Sequence, residues 1–164
     1  MDGITIRLAT AADLPSINDI YNHYVLNSTC TYQTAPETIE ARHAWFTAHA
    51  PPHPITVAEH SGHIVGWGSL SRYNARAAYS RTVENSIYVH PDHHRQGMGR
   101  ALLTDLIDRA RQLGHHTIIA GIDAEQTPSV AIHAAHGFEQ VALLKEVGFK
   151  FNRWLHVIYM QKML

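Results

Sequence analysis

Apolar residues along the chain recur at two periods, and each change of period marks a new element. Ile4-Thr5-Ile6-Arg7-Leu8 alternates apolar and polar, the pattern of a strand with one face in the core. Thr10-Ala11-Ala12-Asp13 reads as a helix start. Leu14, Ile17, Ile20, Tyr21 and Tyr24 then fall on one face of the predicted helix. The polar loop NSTCTYQTAP leads to a second helix over Glu37–His49. Pro51-Pro52 must end it, because proline has no N–H for the helical ladder. Two strands follow, Ile55–Glu59 and His63–Ser71, joined by a Ser61-Gly62 turn. Arg72–Arg81 reads as a polar loop and Thr82–Val89 as the next strand.

From Gly99 onward, Leu102, Leu103, Leu106, Ile107, Ala110 and Leu113 form a helical stripe that Gly114 closes as a C-terminal cap. His116–Ile122 is a largely apolar strand. Thr127-Pro128-Ser129 opens a short helix ending at His136-Gly137, with proline in its first turn. Phe138–Leu144 and Trp154–Met160 read as two final strands. No repeat or linker interrupts this order, which predicts one mixed α/β domain over residues 1–164.

Composition narrows the function classes. The chain has 164 residues, enough for a core without staples, and 45% of them are hydrophobic. A formal net charge of -1 lacks the basic footprint of a duplex nucleic-acid binder, so no nucleic acid is expected. Cys30 is the only cysteine, which excludes an internal disulfide and suits a reducing compartment. No apolar run reaches membrane-spanning length, and MDGITIRLAT lacks the basic-then-apolar order of a secretory leader. A cytoplasmic protein with no membrane partner is the expectation. The 14 histidines are scattered and include no HExxH helix. His133 and His136, the closest helical pair, have no cysteine or carboxylate beside them, so no metal is expected.

The chemistry concentrates in SIYVHPDHHRQGMGRALL, where a strand enters a turn and Gly97-Met98-Gly99 opens a helix. Glycine lets a ligand approach the backbone, and a helix start offers unpaired N–H groups to an anion. A dinucleotide fingerprint would need a third glycine where Leu102 stands, and a P-loop would need GxxxxGK followed by Ser or Thr. Neither fits. Successive N–H groups from Arg95 to Gly99 can surround an anion, with Arg95 and Arg100 adding charge or lying in solvent.

This segment resembles the coenzyme-binding strand–loop–helix of the GNAT superfamily of acyl-coenzyme A-dependent N-acetyltransferases, written R/Q-x-x-G-x-G/A. His94 stands where Arg or Gln is usual. AADLPSINDIYNHYVLNSTCTYQT, RTVENSIYVHPDHHRQGMGRALL, AGIDAEQTPSVAIHAAHGFEQV and EVGFKFNRWLHVIYMQ are similar to the phosphinothricin and methionine-sulfoximine branch. His156 replaces the Asp common in that branch.

The resemblance implies a mixed, mostly antiparallel central sheet with flanking helices, and acetyl-CoA as co-substrate. Ile87, Tyr88 and Val89 would offer backbone groups to pantetheine and the acetyl oxygen. His94, Arg95, Gln96, Gly97, Met98, Gly99 and Arg100 would surround the pyrophosphate. Gln126 stands where Asn usually holds pantetheine, with Ser129 nearby as a further contact or a helix cap. Glu84 matches the catalytic base. An ordinary Glu, with a pKa of about 4.3, serves an ammonium poorly unless burial raises it or water relays the proton. His133 stands where many members have Tyr; it would protonate the thiolate or position substrate, or simply pack in the core.

An amino-acid substrate carries a carboxylate and calls for a cation. Arg72, Arg76 and Arg81 flank the approach to Glu84, and Tyr32 and Tyr79 could wall the substrate side chain. The implied activity is direct acetyl transfer, in a ternary complex, to the alpha-amine of a phosphinothricin- or methionine-sulfoximine-like substrate. The implied assembly is a homodimer. The alternatives are acetylation of a protein N-terminus or another amine, and a coenzyme A-binding sensor without turnover.

Overall fold

The computed structural model describes residues 3–49 and 51–164. Seven strands form one sheet in the order β1-β2-β3-β4-β5-β7-β6, with β1 Ile4–Leu8, β2 Ile55–His60, β3 His63–Arg72 and β4 Thr82–Val89 on one side. Completing it are β5 Thr117–Asp123, β6 Glu139–Lys150 and β7 Arg153–Met163. The helices are α1 Leu14–Asn27, α2 Ile39–Ala48, α3 Met98–Gln112 and α4 Thr127–Ala135. Every neighbouring pair is antiparallel except β4 and β5, which α3 joins as a crossover. The expected mixed, mostly antiparallel architecture is the one observed.

Each face of the sheet buries the stripe its helices carry. Leu103, Leu106, Ile107 and Ala110 of α3 pack on Leu70, Val83, Ile118, Ala120 and Met160. Leu14, Ile17 and Ile20 of α1 pack on Ile55, Val57 and Trp67 across the sheet. Close approach of α3 requires a missing side chain at Gly68. A Cβ there would stand 2.9 Å from Leu106 Cδ1 and 3.2 Å from the Ser86 carbonyl oxygen.

The opposite face holds a buried cation. Arg42 is 2% exposed, donates to Glu37 at 2.6 Å and to Asn18 at 3.1 Å, and lies against the rings of Tyr21, Trp45 and Trp67.

The last two strands run further than the apolar pattern suggests. β6 reaches Lys150 and β7 starts at Arg153, so the GFKFNRW segment is the tip of a long hairpin. Phe151 and Asn152 turn it with φ of 51° and 58°, the positive-φ pair of a tight two-residue loop. A register shift between Leu144 and Gly148 breaks the alternation, which hid the continuation. Within that irregularity the Glu146 N–H donates to His156 Nδ1 at 2.9 Å.

Candidate active site

The parallel pairing of β4 with β5 is short: Thr82, Val83 and Glu84 face Thr117, Ile118 and Ile119, and the pairing stops. Beyond that point both strands continue but diverge. Their edges then hold backbone groups with no neighbouring strand, and a cleft of about 770 Å³ opens between them. Asn85 to Val89 form one wall and Ala120 to Asp123 the other. The start of α3 closes one end, and Ser129, Ile132 and His133 of α4 line the side.

At the α3 end the backbone changes hand twice. Arg95 has φ 61°, and Gly97, the residue before the helix, has φ 87° and ψ -1°. Glycine adopts that left-handed conformation without a Cβ penalty. The turn leaves the first N–H groups of a 15-residue helix facing the cleft, beside the exposed Arg95 and Arg100. N–H groups, helix dipole and guanidinium groups together suit a phosphate-bearing ligand.

His94 is held by neighbours on α1 and at the end of β4. Its Nε2 lies 2.6 Å from the Tyr24 hydroxyl and 3.2 Å from the Val89 carbonyl, and its ring stacks on Tyr24. The Tyr24 hydroxyl donates to that same carbonyl. The imidazole therefore braces the end of β4 against α1. Gln96 turns away, donating to the Asp92 carbonyl outside the cleft lining.

Ile87, Tyr88, Val89, His94, Arg95, Gly97, Met98, Gly99, Arg100, Gln126, Ser129 and His133 all line the cleft. Gln126 Nε2 donates to Thr29 Oγ1 at 3.1 Å. Glu84 stands just behind the fork. Its Oε1 is 3.5 Å from where a Cβ on Gly121 would be, and Tyr159 Cε1 is 3.5 Å from the same point. Gly121 lines the cleft, so the carboxylate packs directly behind the cleft wall. Burial raises the Glu84 pKa by desolvating the carboxylate.

His133 is 3% exposed and held on both ring nitrogens. The Ser129 carbonyl, 2.8 Å from Nδ1, can only accept, so Nδ1 carries the hydrogen. Nε2 then accepts from Asn85 Nδ2 at 2.9 Å. Burial lowers the histidine pKa and favours this neutral form. Neutral His133 has no N–H left for a departing thiolate, so the geometry suits a positioning residue better than a general acid.

The substrate-side residues separate. Tyr32 lies outside the cleft lining and is spent on structure: its hydroxyl donates to Asp123 Oδ2 at 2.6 Å, and its ring lies on Gly148. A Cβ at Gly148 would run into that ring. Gly148→Ala should therefore cost about 1–3 kcal/mol through overpacking, read as a lower melting temperature. An unchanged midpoint would mean that the ring does not rest there. Arg76, Tyr79 and Arg81 are exposed in the loop joining β3 to β4, with Tyr79 edge-on to Tyr73 at 5.6 Å. That loop hangs at the Glu84 end of β4, because Ser71 and Arg72 pair with Glu84 and Val83. Among the described residues neither Arg72, Arg76 nor Arg81 is in a salt bridge.

Sequence reasoning missed Tyr24, Asn85, Gly121 and Tyr159, whose roles depend on partners far along the chain. Cys30 is half-buried and lines the cleft, its thiol pKa raised by burial. Among the described residues no group of His, Cys, Asp or Glu is arranged to hold a metal. Among the described residues, no helix is long and apolar enough to cross a membrane.

Residues 17–138, which include both ends of the cleft, match the acetyltransferase (GNAT) family. An L-methionine sulfoximine/L-methionine sulfone acetyltransferase of Salmonella typhimurium is 38% identical, over 98% of this chain and 95% of that protein. A phosphinothricin acetyltransferase from Sinorhizobium meliloti, solved in complex with acetyl-CoA, superposes with a TM-score of 0.96 at 38% identity, covering 99% of this chain and 89% of that one. A ribosomal-protein-alanine N-acetyltransferase from Brucella melitensis superposes with a TM-score of 0.95 at 39% identity, covering 98% and 99%. A family match over most of the chain, and likeness from end to end in relatives of different substrate, make this protein a member of the GNAT acetyltransferase family.

Proposed function

We propose that this enzyme transfers acetyl from acetyl-CoA to the alpha-amine of a small amino-acid analogue of the phosphinothricin or methionine-sulfoximine type. One observation carries the reading: the β4–β5 fork opens a cleft with a phosphate-suited helix start at one end, and the half-buried carboxylate of Glu84 stands just behind the fork at the other. The N–H groups of Arg95 to Gly99 hold the pyrophosphate, and the free edge of β4 from Ile87 to Val89 pairs with the pantetheine arm. An N–H of that edge faces the acetyl oxygen and stabilises the charge that develops there.

The co-substrate supplies a thioester carbonyl and a thiolate leaving group. Glu84, ionised and desolvated, takes the proton of the substrate ammonium, directly or through one water. The freed amine attacks the carbonyl and a C–N bond forms; the nitrogen gives its second proton to solvent, the C–S bond breaks, and the sulfur carries away the electron pair. A thiolate of roughly cysteine-like acidity, pKa about 8.5, leaves without His133 as acid and takes its proton from Glu84 or solvent. The cations of the β3–β4 loop, Arg72, Arg76 and Arg81, hold the substrate carboxylate, and Tyr79 packs on its side chain.

We place the enzyme in the cytoplasm as a homodimer. Val141, Leu143, Phe149 and Trp154 of the β6–β7 hairpin, each about half exposed, are the apolar face that supports this assembly.

Coenzyme A release from acetyl-CoA, followed with L-phosphinothricin, L-methionine sulfoximine and an alanine-terminated peptide in parallel, tests the reading. Turnover with either analogue and not the peptide is the expected result. Turnover with the peptide alone would move the function to protein N-termini. No turnover with any of them, despite coenzyme binding, would favour a sensor.

A further inference from the structure

Among the described residues, four buried side-chain atoms have no hydrogen-bond partner: Thr56 Oγ1, Trp67 Nε1, Asn85 Oδ1 and His93 Nδ1. Thr56 and Trp67 lie inside the sheet core, on β2 and β3. Asn85 and His93 line the cleft. A buried acceptor left unpaired costs its desolvation, so its persistence calls for an explanation.

Asn85 is 7% exposed, and its amide cannot rotate to find a partner. Its Nδ2 donates to His133 Nε2 at 2.9 Å. The imidazole is itself held by the Ser129 carbonyl at 2.8 Å and by the edge contact with Phe138, ring centres 5.0 Å apart. Flipping the amide would set Oδ1 against a ring nitrogen that carries no hydrogen. The orphan is therefore built in by α4 and not by chance of rotamer. Its place is also specific: the β4–β5 pairing ends at Glu84 and Ile119, which makes Asn85 the first β4 residue past the fork.

We propose that Asn85 is a coenzyme-binding residue whose Oδ1 accepts a hydrogen bond from the pantetheine arm, with His133 as the residue that positions it. This rests on the reading of the cleft as the acetyl-CoA site. With the pyrophosphate at the start of α3, the arm must run along β4 towards Glu84, and its far end arrives at Asn85. The donors there are the amide N–H groups of the arm, present in acetyl-CoA and coenzyme A alike, and the thiol S–H, present only after the acetyl group has left.

Calorimetric titration of Asn85→Leu with acetyl-CoA, coenzyme A and adenosine 3′,5′-bisphosphate tests this, because the bisphosphate lacks the arm. The expected result is unchanged bisphosphate affinity with coenzyme A bound about 3- to 10-fold more weakly. An equal loss for acetyl-CoA assigns the donor to an amide, and a loss for coenzyme A alone assigns it to the thiol. Unchanged affinity for both coenzymes overturns the proposal. So does a bisphosphate affinity that falls in step with theirs, since that reports a general loss of the site. Should Asn85→Leu fail to fold, Asn85→Ala is read in the same way. Wild-type protein that binds neither coenzyme overturns the acetyl-CoA reading, and this proposal with it.

Discussion

Glu84→Gln lowers kcat by about 10²- to 10⁴-fold, the range for removing a positioned general base, and leaves the KM for acetyl-CoA almost unchanged. The carboxylate lies behind Gly121 rather than in the cleft lining, so the coenzyme loses no contact when it is neutralised. The same variant should melt at an equal or higher temperature at neutral pH. Burial raises the folded-state pKa of Glu84 above its unfolded value, so ionised Glu84 weakens the fold, and the penalty is present above the raised pKa. As pH falls through that pKa the group protonates, the penalty disappears, and activity disappears with it. In the wild type, kcat/KM should therefore fall on the acid side at a pH above the ordinary glutamate range. The variant should show neither that limb nor the accompanying change in stability. Full activity in the variant, or an acid limb that survives the substitution, would remove Glu84 from the role of base.

The sequence revealed the elements wherever a period was sustained. The α3 stripe from Leu102 to Ala110 and the alternation in β1 are repeated local signals, and each matched an observed element within a few residues. The β6–β7 hairpin broke this rule because its register slips between Leu144 and Gly148, and an irregular strand has no period to read. The glycine loop was legible for a similar reason: Gly97 at φ 87° is a local backbone requirement, visible as residue type.

Side-chain partners were another matter. His94 meets Tyr24 across 70 positions, Asn85 meets His133 across 48, and Tyr32 meets Asp123 across 91. Nothing in the spacing of either residue announces such a pair. Motif position puts His94 in the coenzyme loop, but a tyrosine on α1 decides which way its ring points. Tyr32 was assigned to substrate on its chemistry alone, while the bare backbone of Gly148 gives its ring a place to lie.

Gly97→Ala should produce the opposite kinetic signature, raising the KM for acetyl-CoA by roughly tenfold while kcat at saturation changes little. Gly97 holds φ 87° and ψ -1° immediately before α3, and an L-residue in left-handed backbone costs about 1–2 kcal/mol. The chain has two ways to respond. If it keeps the conformation, the N–H groups stay aimed at the phosphate, but the new methyl stands in the loop through which the anion approaches. If it relaxes towards negative φ, the first turn of α3 rotates and those N–H groups no longer converge. Either response weakens phosphate binding, and neither touches Glu84 at the far end of the fork. The two variants therefore separate the ends of the cleft: one loses the chemical step with binding intact, the other loses binding with the chemical step intact. Calorimetry with adenosine 3′,5′-bisphosphate gives the independent check, since Gly97→Ala must weaken that ligand and Glu84→Gln must not. A Gly97→Ala protein that binds the bisphosphate as tightly as wild type would place the phosphates away from the α3 start, and the assignment of this loop would fail.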